Sequence, residues 1–267
     1  MESRIPLITL TTDFGYADPF VGIMKGAILC ITPNVQIVDL NHGIAPQDIR
    51  AAALTLAASV DHFPHGTIHV AVVDPGVGSE RRPILIHSAG QYFVGPDNGV
   101  FSFALKDKQS LLIVHLSNEA YFLQPKSQTF HGRDIFAPVA AHLAGGVPVT
   151  EFGAPSKDWL CLFWPAVERA GEFIVGEVLY IDRFGNLFTN IQERDLTGVA
   201  KEKIRVHLND EVKIQGLAQN YAAGDKKTYI ALVNSWGLVE IARYNDNAAS
   251  RSGAKIGDEV RVELLTL

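Results

Sequence analysis

The chain has 267 residues, a formal net charge of −6, 47% hydrophobic residues and 19% charged residues. This supplies a sizeable core and excludes wholesale disorder. With no basic run longer than the pairs Arg81-Arg82 and Lys226-Lys227, it also argues against a nucleic-acid or membrane-surface binder. The two cysteines, Cys30 and Cys161, form no CxxC pair, which argues against a disulfide scaffold and a structural zinc site and points to a reducing, cytoplasmic compartment. No segment approaches the roughly 18 apolar residues of a membrane span, and the first ten residues are too weakly polarised for a signal peptide.

Residues 5–12 are β-branched and apolar and read as a buried first strand. It ends in Thr11-Thr12-Asp13-Phe14-Gly15, which leaves the Asp13 carboxylate at a strand end. From Pro19 the spacing turns helical, with Phe20, Ile23, Met24, Ala27, Ile28 and Ile31 on one face and Pro33 as the stop. Residues 35–40 predict a second strand, residues 49–60 an Ala- and Leu-rich helix, and residues 67–73 a third strand. Strand, helix, strand, helix, strand is the pattern of an α/β domain whose mostly parallel sheet is wound by crossover helices.

The third strand runs into Val73-Asp74-Pro75-Gly76-Val77-Gly78-Ser79-Glu80-Arg81-Arg82, where proline and glycine force a sharp turn. Ligands of open α/β sheets bind beyond the carboxyl ends of strands, which favours a ligand contact at Asp74. The same spacing equally suits a turn cap that pairs with Arg81 on the surface.

Residues 83–87 and 91–94 read as short strands joined by Ser88-Ala89-Gly90, and Gly95-Pro96-Asp97-Asn98-Gly99 as a turn. Residues 110–116 predict another apolar strand. Phe130-His131-Gly132-Arg133-Asp134 precedes an Ala-rich helix at 135–143. His131 thus lies at a helix start, where the macrodipole disfavours imidazolium and suits a base.

Between residues 145 and 170 the composition turns to Gly, Pro and Trp without a period. The expected division is an α/β domain at 1–160, a linker at 161–170 and a second domain at 171–267. In the latter, residues 172–182, 203–208, 211–214, 228–234, 238–242 and 258–265 are short alternating strands separated by Gly, Asn and Asp turns. That pattern predicts a small antiparallel β-barrel.

Several familiar motifs fail. A GxGxxG reading of Gly76 and Gly78 needs glycine at position 81, where the chain has Arg, and no GxxxxGK[ST] occurs. Asp13-Phe14-Gly15 lacks the other kinase motifs. Without a GxSxG elbow or a histidine near either cysteine in sequence, covalent catalysis is not indicated. His62, His65 and His69 have metal-ligand spacing, but Pro64 and Gly66 prevent one helix from presenting all three, so no metal site is expected. The groups that remain stand at strand ends and helix starts: Asp13, Asp74, Arg81, His131 and, in the second domain, Asp182-Arg183-Phe184-Gly185-Asn186 and Asn234-Ser235-Trp236-Gly237.

These segments, together with Gly95 to Gly99, Thr189-Asn190 and Glu240, follow in order nearly end to end. They resemble the S-adenosyl-L-methionine (SAM) hydroxide adenosyltransferases, or SAM hydrolases, relatives of the fluorinase and chlorinase. The resemblance implies an Asp, an Arg and a His that hold and activate the attacking water, matching Asp74, Arg81 and His131. It implies that Asp13 grips the ribose hydroxyls and that Phe184 and Asn186 contact adenine. Ser235, Glu240 and Asp182 match positions that hold the methionine part, and Arg243 and Asn245 fall in the stretch that supplies backbone contacts to adenine. It further implies a homotrimer, with substrate between the first domain of one subunit and the second domain of the next, and no cofactor or metal beyond the SAM substrate. The halogenases carry Tyr at the position of Asp74, and the fluorinase has hydroxyl side chains near Val77 and Gly132. An anionic Asp74 would repel a halide, which argues for water as the nucleophile.

The expected activity is hydrolysis of SAM, with the (R)-sulfonium epimer as a substrate the family allows, to adenosine and L-methionine by attack of water or hydroxide at the ribose C5′. In this scheme Arg81 supplies positive charge, His131 accepts the proton, and Asp74 orients the water. Two other readings stand beside it. A non-catalytic adenosine or SAM sensor needs the gripping residues but not the Asp74, Arg81 and His131 set, and a halide-dependent adenosyltransferase is disfavoured by Asp74.

Overall fold

The computed structural model describes residues 5–108, 111–209, 211–225 and 227–265. Ser110, the start of one expected strand, and Lys226 of the second basic pair lie outside the described residues. The chain divides into two compact units, Met1–Phe163 and Trp164–Leu267.

The first unit opens with the predicted alternation: β1 (Leu7–Thr12), α1 (Phe20–Ile31), β2 (Gln36–Asn41), α2 (Ile49–Ser59) and β3 (Ile68–Val72). It continues with β4 (Pro83–Ser88), β5 (Gln91–Pro96), α3 (Ser102–Leu105), β6 (Leu112–Leu116), α4 (Ala137–Ala144) and β7 (Gly153–Ser156). The sheet order is β2-β1-β3-β5-β4-β6-β7. The first three pairings are parallel and the last three antiparallel, so only β4 and β7 run against the other strands. Helices cover both faces, and β3 shows how its residues divide. Ile68, Val70 and Val72 join the core with Met24 and Ile28 of α1 and Ala140 of α4, whereas Ala71 and the following Val73 pack with Ala52 and Leu56 of α2. Alternate side chains serve opposite faces, so a strand buried on both reads as a continuous apolar run.

In the second unit β8 (Glu168–Ala170), β9 (Phe173–Ile181), β10 (Leu187–Gln192), β11 (Ile204–Leu208), β12 (Val212–Gln215), β13 (Tyr229–Val233), β14 (Leu238–Arg243), α5 (Ala248–Ser252) and β15 (Glu259–Leu264) follow in order. The strands form one antiparallel, barrel-like sheet in the order β12-β11-β15-β9-β10-β14-β13, with β8 beside β9. Alternation is clear on β11: Ile204, Val206 and Leu208 are buried, while the intervening Arg205 and His207 both reach Glu263.

Strand β10 departs from the expected elements. Its apolar pattern is interrupted by Thr189 and Asn190, yet both are buried. The interior accepts them because Thr189 Oγ1 donates to the Val239 carbonyl at 2.8 Å, and Asn190 Nδ2 donates to the Pro165 carbonyl at 3.1 Å. Asn190 Oδ1 in turn accepts from the Glu177 amide at 2.8 Å. The short edge strands β7 and β8, rich in small or charged residues, also lie outside the expected set.

Strand β3 carries a buried histidine. His69 Nδ1 lies 2.9 Å from Thr9 Oγ1 on β1, the ring stacks on Phe93, and burial lowers its pKa from 6.5 to about 4. Below pH 6.5 the unfolded chain therefore binds a proton that the folded chain refuses. His69 should leave stability untouched above that pH and lower it, on the order of 3 kcal/mol, as pH falls toward 4. Denaturant unfolding at both ends of this window should show a smaller acid loss in His69→Gln than in the wild type.

Candidate active site

The Asp74 loop leaves the carboxyl end of β3 and returns to the start of β4. Its shape is fixed internally: the Val77 amide donates to the Asp74 carbonyl at 3.2 Å, and Ser79 closes on the Gly76 carbonyl through its amide and its hydroxyl, at 3.0 and 2.7 Å. Gly78 is at φ +79, and a β-carbon there would lie 2.5 Å from the Gln128 carbonyl oxygen, so this turn requires glycine. The loop folds Arg81 back onto Asp74. Arg81 Nε donates to Oδ1 at 2.8 Å and Oδ2 at 3.0 Å, and Nη2 donates to Oδ2 at 2.5 Å. Only 5% of the Asp74 side chain and 9% of the Arg81 side chain are exposed. The ion pair is buried, unlike the surface pair that the spacing also allowed.

A second hydrogen bond from Nη2 reaches His131 Nδ1 at 2.8 Å. Guanidinium can only donate, so Nδ1 is the acceptor and the proton of the neutral ring sits on Nε2. Burial, and then the Arg81 charge, lower the His131 pKa below 6.5, in keeping with a neutral imidazole. Nε2 is itself buried without a hydrogen-bond partner among the described residues. His131 begins a π-helical turn, Gly132–Phe136, that leads into α4, the kind of distortion often found at functional sites. The turn is anchored by buried Asp134, whose carboxylate accepts from the Ser127 amide at 2.8 Å and from Arg133 Nε at 2.6 Å. Asp134 belongs to the support of the site.

Asp13, Asp74 and His131 line one pocket of about 430 Å³ with Gln47, Phe14, Phe20 and Phe130. The three phenylalanines meet edge to face, with centroids 5.3 to 5.9 Å apart, and form an apolar wall. Asp13 Oδ2 accepts from the Gln47 amide at 2.8 Å. The pocket thus combines carboxylates, a neutral imidazole and an aromatic face. That combination suits a compact organic cation with an apolar portion.

A separate pocket of about 540 Å³ in the second unit is lined by Asp182, Phe184, Asn186, Tyr221, Arg243, Tyr244, Asn245 and Asp246. Asp182 organises the β9–β10 turn: Oδ1 accepts from the amides of Phe184 and Asn186, both at 2.9 Å, and Oδ2 from Asn186 Nδ2 at 3.0 Å. Gly185, at φ +84, permits the turn, and a β-carbon there would collide with Asn247. The result leaves Phe184 76% exposed at the tip. Arg243 is held over the Tyr229 ring at 4.8 Å and by Asp246 at 3.1 Å.

Ser235 and Glu240 do not line this pocket. Ser235 is exposed in the β13–β14 turn, and Glu240 is fully buried on β14, accepting from Asn234 Nδ2 at 3.0 Å. Burial pushes the Glu240 carboxyl up, and burial together with neighbouring Glu240 pushes the Tyr221 phenol up to about 12. Residue patterns did not point to Tyr221, Tyr244, Gln47 or the phenylalanine wall. Polar and aromatic residues between strands carry no periodic signal, although Gln47 precedes the Asp48 cap of α2. His65 bonds the Ala89 carbonyl and His69 bonds Thr9, and among the described residues no three His, Cys, Asp or Glu side chains gather as a metal site.

Known proteins resemble the chain along nearly its whole length. Residues 8–153 match the SAM hydroxide adenosyltransferase N-terminal domain, and residues 176–261 match the corresponding C-terminal domain. A relative from Methanocaldococcus jannaschii, named (R)-S-adenosyl-L-methionine hydrolase, is 34% identical over 98% of this chain and 97% of its own. A fluorinase from Nocardia brasiliensis is more distant, 27% identical over 98% of each chain. The crystal structure of an uncharacterized conserved protein from Thermotoga maritima superposes with a TM-score of 0.89 at 33% identity, covering 96% of this chain and 99% of that one.

The Arg81–His131 hydrogen bond has a direct signature. Because the Arg81 charge lowers the His131 pKa, Arg81→Gln should raise it toward 6.5. Imidazole chemical shifts followed against pH would show this, and an unmoved midpoint would contradict the coupling.

Proposed function

The chain belongs to the SAM hydroxide adenosyltransferase family, and we propose that it hydrolyses SAM, in the (R)-sulfonium form, to adenosine and L-methionine. The observation that carries this is the buried Asp74–Arg81–His131 chain beside the Asp13 pocket. Water attacks C5′ of the ribose, an O–C5′ bond forms, and the C5′–S bond breaks with its electron pair going to sulfur. Methionine leaves as a neutral thioether, so departure needs neither an acid nor a metal. The remaining demand is to place the water and remove its proton.

The hydrogen-bond directions favour exchanging the roles expected of His131, as proton acceptor, and Asp74, as orienter of the water. With Nδ1 engaged by Arg81 and the ring proton on Nε2, neutral His131 presents a donor and holds the water oxygen. The proton then goes to Asp74. The oxonium formed on attack is a far stronger acid than a carboxylic acid. Proton transfer therefore follows attack readily. A carboxylate at this position also repels halide ions, which favours water over the halide chemistry of the more distant fluorinase.

In the same scheme Asp13 grips the ribose hydroxyls, Phe184, Asn186, Arg243 and Asn245 serve adenine, and Asp182 and Ser235 serve the methionine part, with buried Glu240 acting from below through Asn234. A cytoplasmic homotrimer completes the proposal, following the family resemblance, and light scattering measures its mass. No helix among the described residues is long and apolar enough to cross a membrane.

Purified protein should convert (R)-SAM to adenosine and methionine, with oxygen-18 from labelled water appearing in the adenosine 5′-hydroxyl. Asp74→Asn should abolish turnover. Arg81→Ala should lower kcat by about a hundredfold or more while changing KM far less. Protonating His131 would place an N–H against the Arg81 donor, so kcat should be level near pH 7 and fall on an acid limb below pH 6.5. Tight binding of both epimers without product would instead identify a sensor, and a 5′-halo-adenosine formed only with halide would identify a halogenase.

A further inference from the structure

Gly95 and Pro96, expected in a turn, are the last residues of β5, and the turn begins at Asp97; it takes no part in the steps above, yet the side chains of Asp97 and Asn98 grip the residues that flank the Asp74 loop. We infer that Asp97 and Asn98 are positioning residues that set the distance and orientation of Asp74 relative to Arg81. The inference rests on the hydrolase reading of the site for its kinetic consequences.

At one end Asn98 Nδ2 donates to the carbonyl of Val73, the residue before Asp74, at 2.8 Å. Its Oδ1 accepts from the Val100 amide at 3.2 Å, which fixes which way the amide faces. At the other end Asp97 Oδ2 accepts from Arg82, the residue after Arg81, through Nε at 2.9 Å and Nη2 at 2.6 Å. The Asp97 amide also donates to the Arg82 carbonyl at 2.9 Å. Asp97 is 3% exposed, and its other oxygen accepts from the Leu160 amide at 2.7 Å, so it has little freedom to adjust.

The sheet order explains the arrangement. Strand β5 lies between β3 and β4, so residues just beyond its end stand between the strand that delivers Asp74 and the strand that receives the chain after Arg82. Neither Val73 nor Arg82 lines the Asp13 pocket. Their tethers fix where the loop starts and stops, and the Asp74–Arg81 contact forms between those points. A displacement of about 1 Å at reacting groups can cost about a hundredfold in rate. A turn that merely holds β3, β5 and β4 together would affect stability and substrate binding alike and would spare kcat.

The test compares wild type, Asn98→Ala and the milder Asp97→Asn, with each thermal midpoint recorded so that a folded variant is in hand. Positioning predicts that kcat for (R)-SAM falls by about tenfold or more while KM stays within about threefold. It also predicts that either substitution costs much less in an Arg81→Lys background, because the geometry it protects is already lost. An unchanged kcat in folded variants, a loss carried by KM, or a full additive loss in that background would overturn the inference. If the wild type releases no adenosine from either epimer, the functional reading fails, and the His131 titration decides alone. Displacement of Arg81 should move its midpoint up in both variants, and an unmoved midpoint would overturn positioning.

Discussion

The Asp74 carboxylate draws hydrogen bonds from Arg81 on both oxygens, and the same guanidinium reaches His131. A buried ion pair holds together only where the geometry is good and the remaining donors are used, because desolvating two charges is expensive. Both hydrogens of Nη2 are spent here, one on the carboxylate and one on the imidazole. This double use ties two segments fifty residues apart in sequence into one electrostatic unit. It also bears on the imidazole: burial and then the Arg81 charge favour the neutral ring of His131.

Much of the surrounding structure serves this unit. Strand β3 delivers Asp74, Gly78 lets the loop double back, and the π-helical turn swings His131 toward the guanidinium. Asp134 holds that turn to Ser127, and the Phe136 ring lies 5.4 Å from the Arg81 guanidinium carbon, on an apolar side of the charge. Low local polarity strengthens the interaction of the pair with whatever charge develops nearby. In the second unit Asp182 spends its carboxylate largely on its own turn, so its contribution to ligand binding is tied to the shape of the β9–β10 hairpin.

The residues of the first unit were largely legible in the sequence because double-sided burial produces unmistakable apolar runs and because Asp13 and Asp74 stand where those runs stop. The proximity of Asp74, Arg81 and His131 followed from family resemblance, since spacing alone left Asp74 as either a ligand contact or a turn cap paired with Arg81 on the surface. The tautomer of His131 lay beyond the sequence, because it depends on which ring nitrogen the guanidinium meets. In the second unit β10 escaped recognition because Thr189 and Asn190 replace apolar residues and are satisfied by partners remote in sequence. Glu240 carried no local signal of its burial, since an acidic residue within an alternating strand reads as facing solvent.

The insertion of β5 between β3 and β4 gives the loop from Val73 to Arg82 the character of a bridge across an intervening strand. Its abutments are two neighbouring strand spacings apart, roughly 10 Å by ordinary sheet geometry, and that span is fixed by backbone pairing. The arch itself meets the rest of the molecule through few backbone bonds. Span and arch are thus separable: the pairing of β3, β5 and β4 holds the two ends, and the loop between them is held by its own hydrogen bonds. Side chains carried on such a bridge can be replaced without disturbing the sheet that supports it.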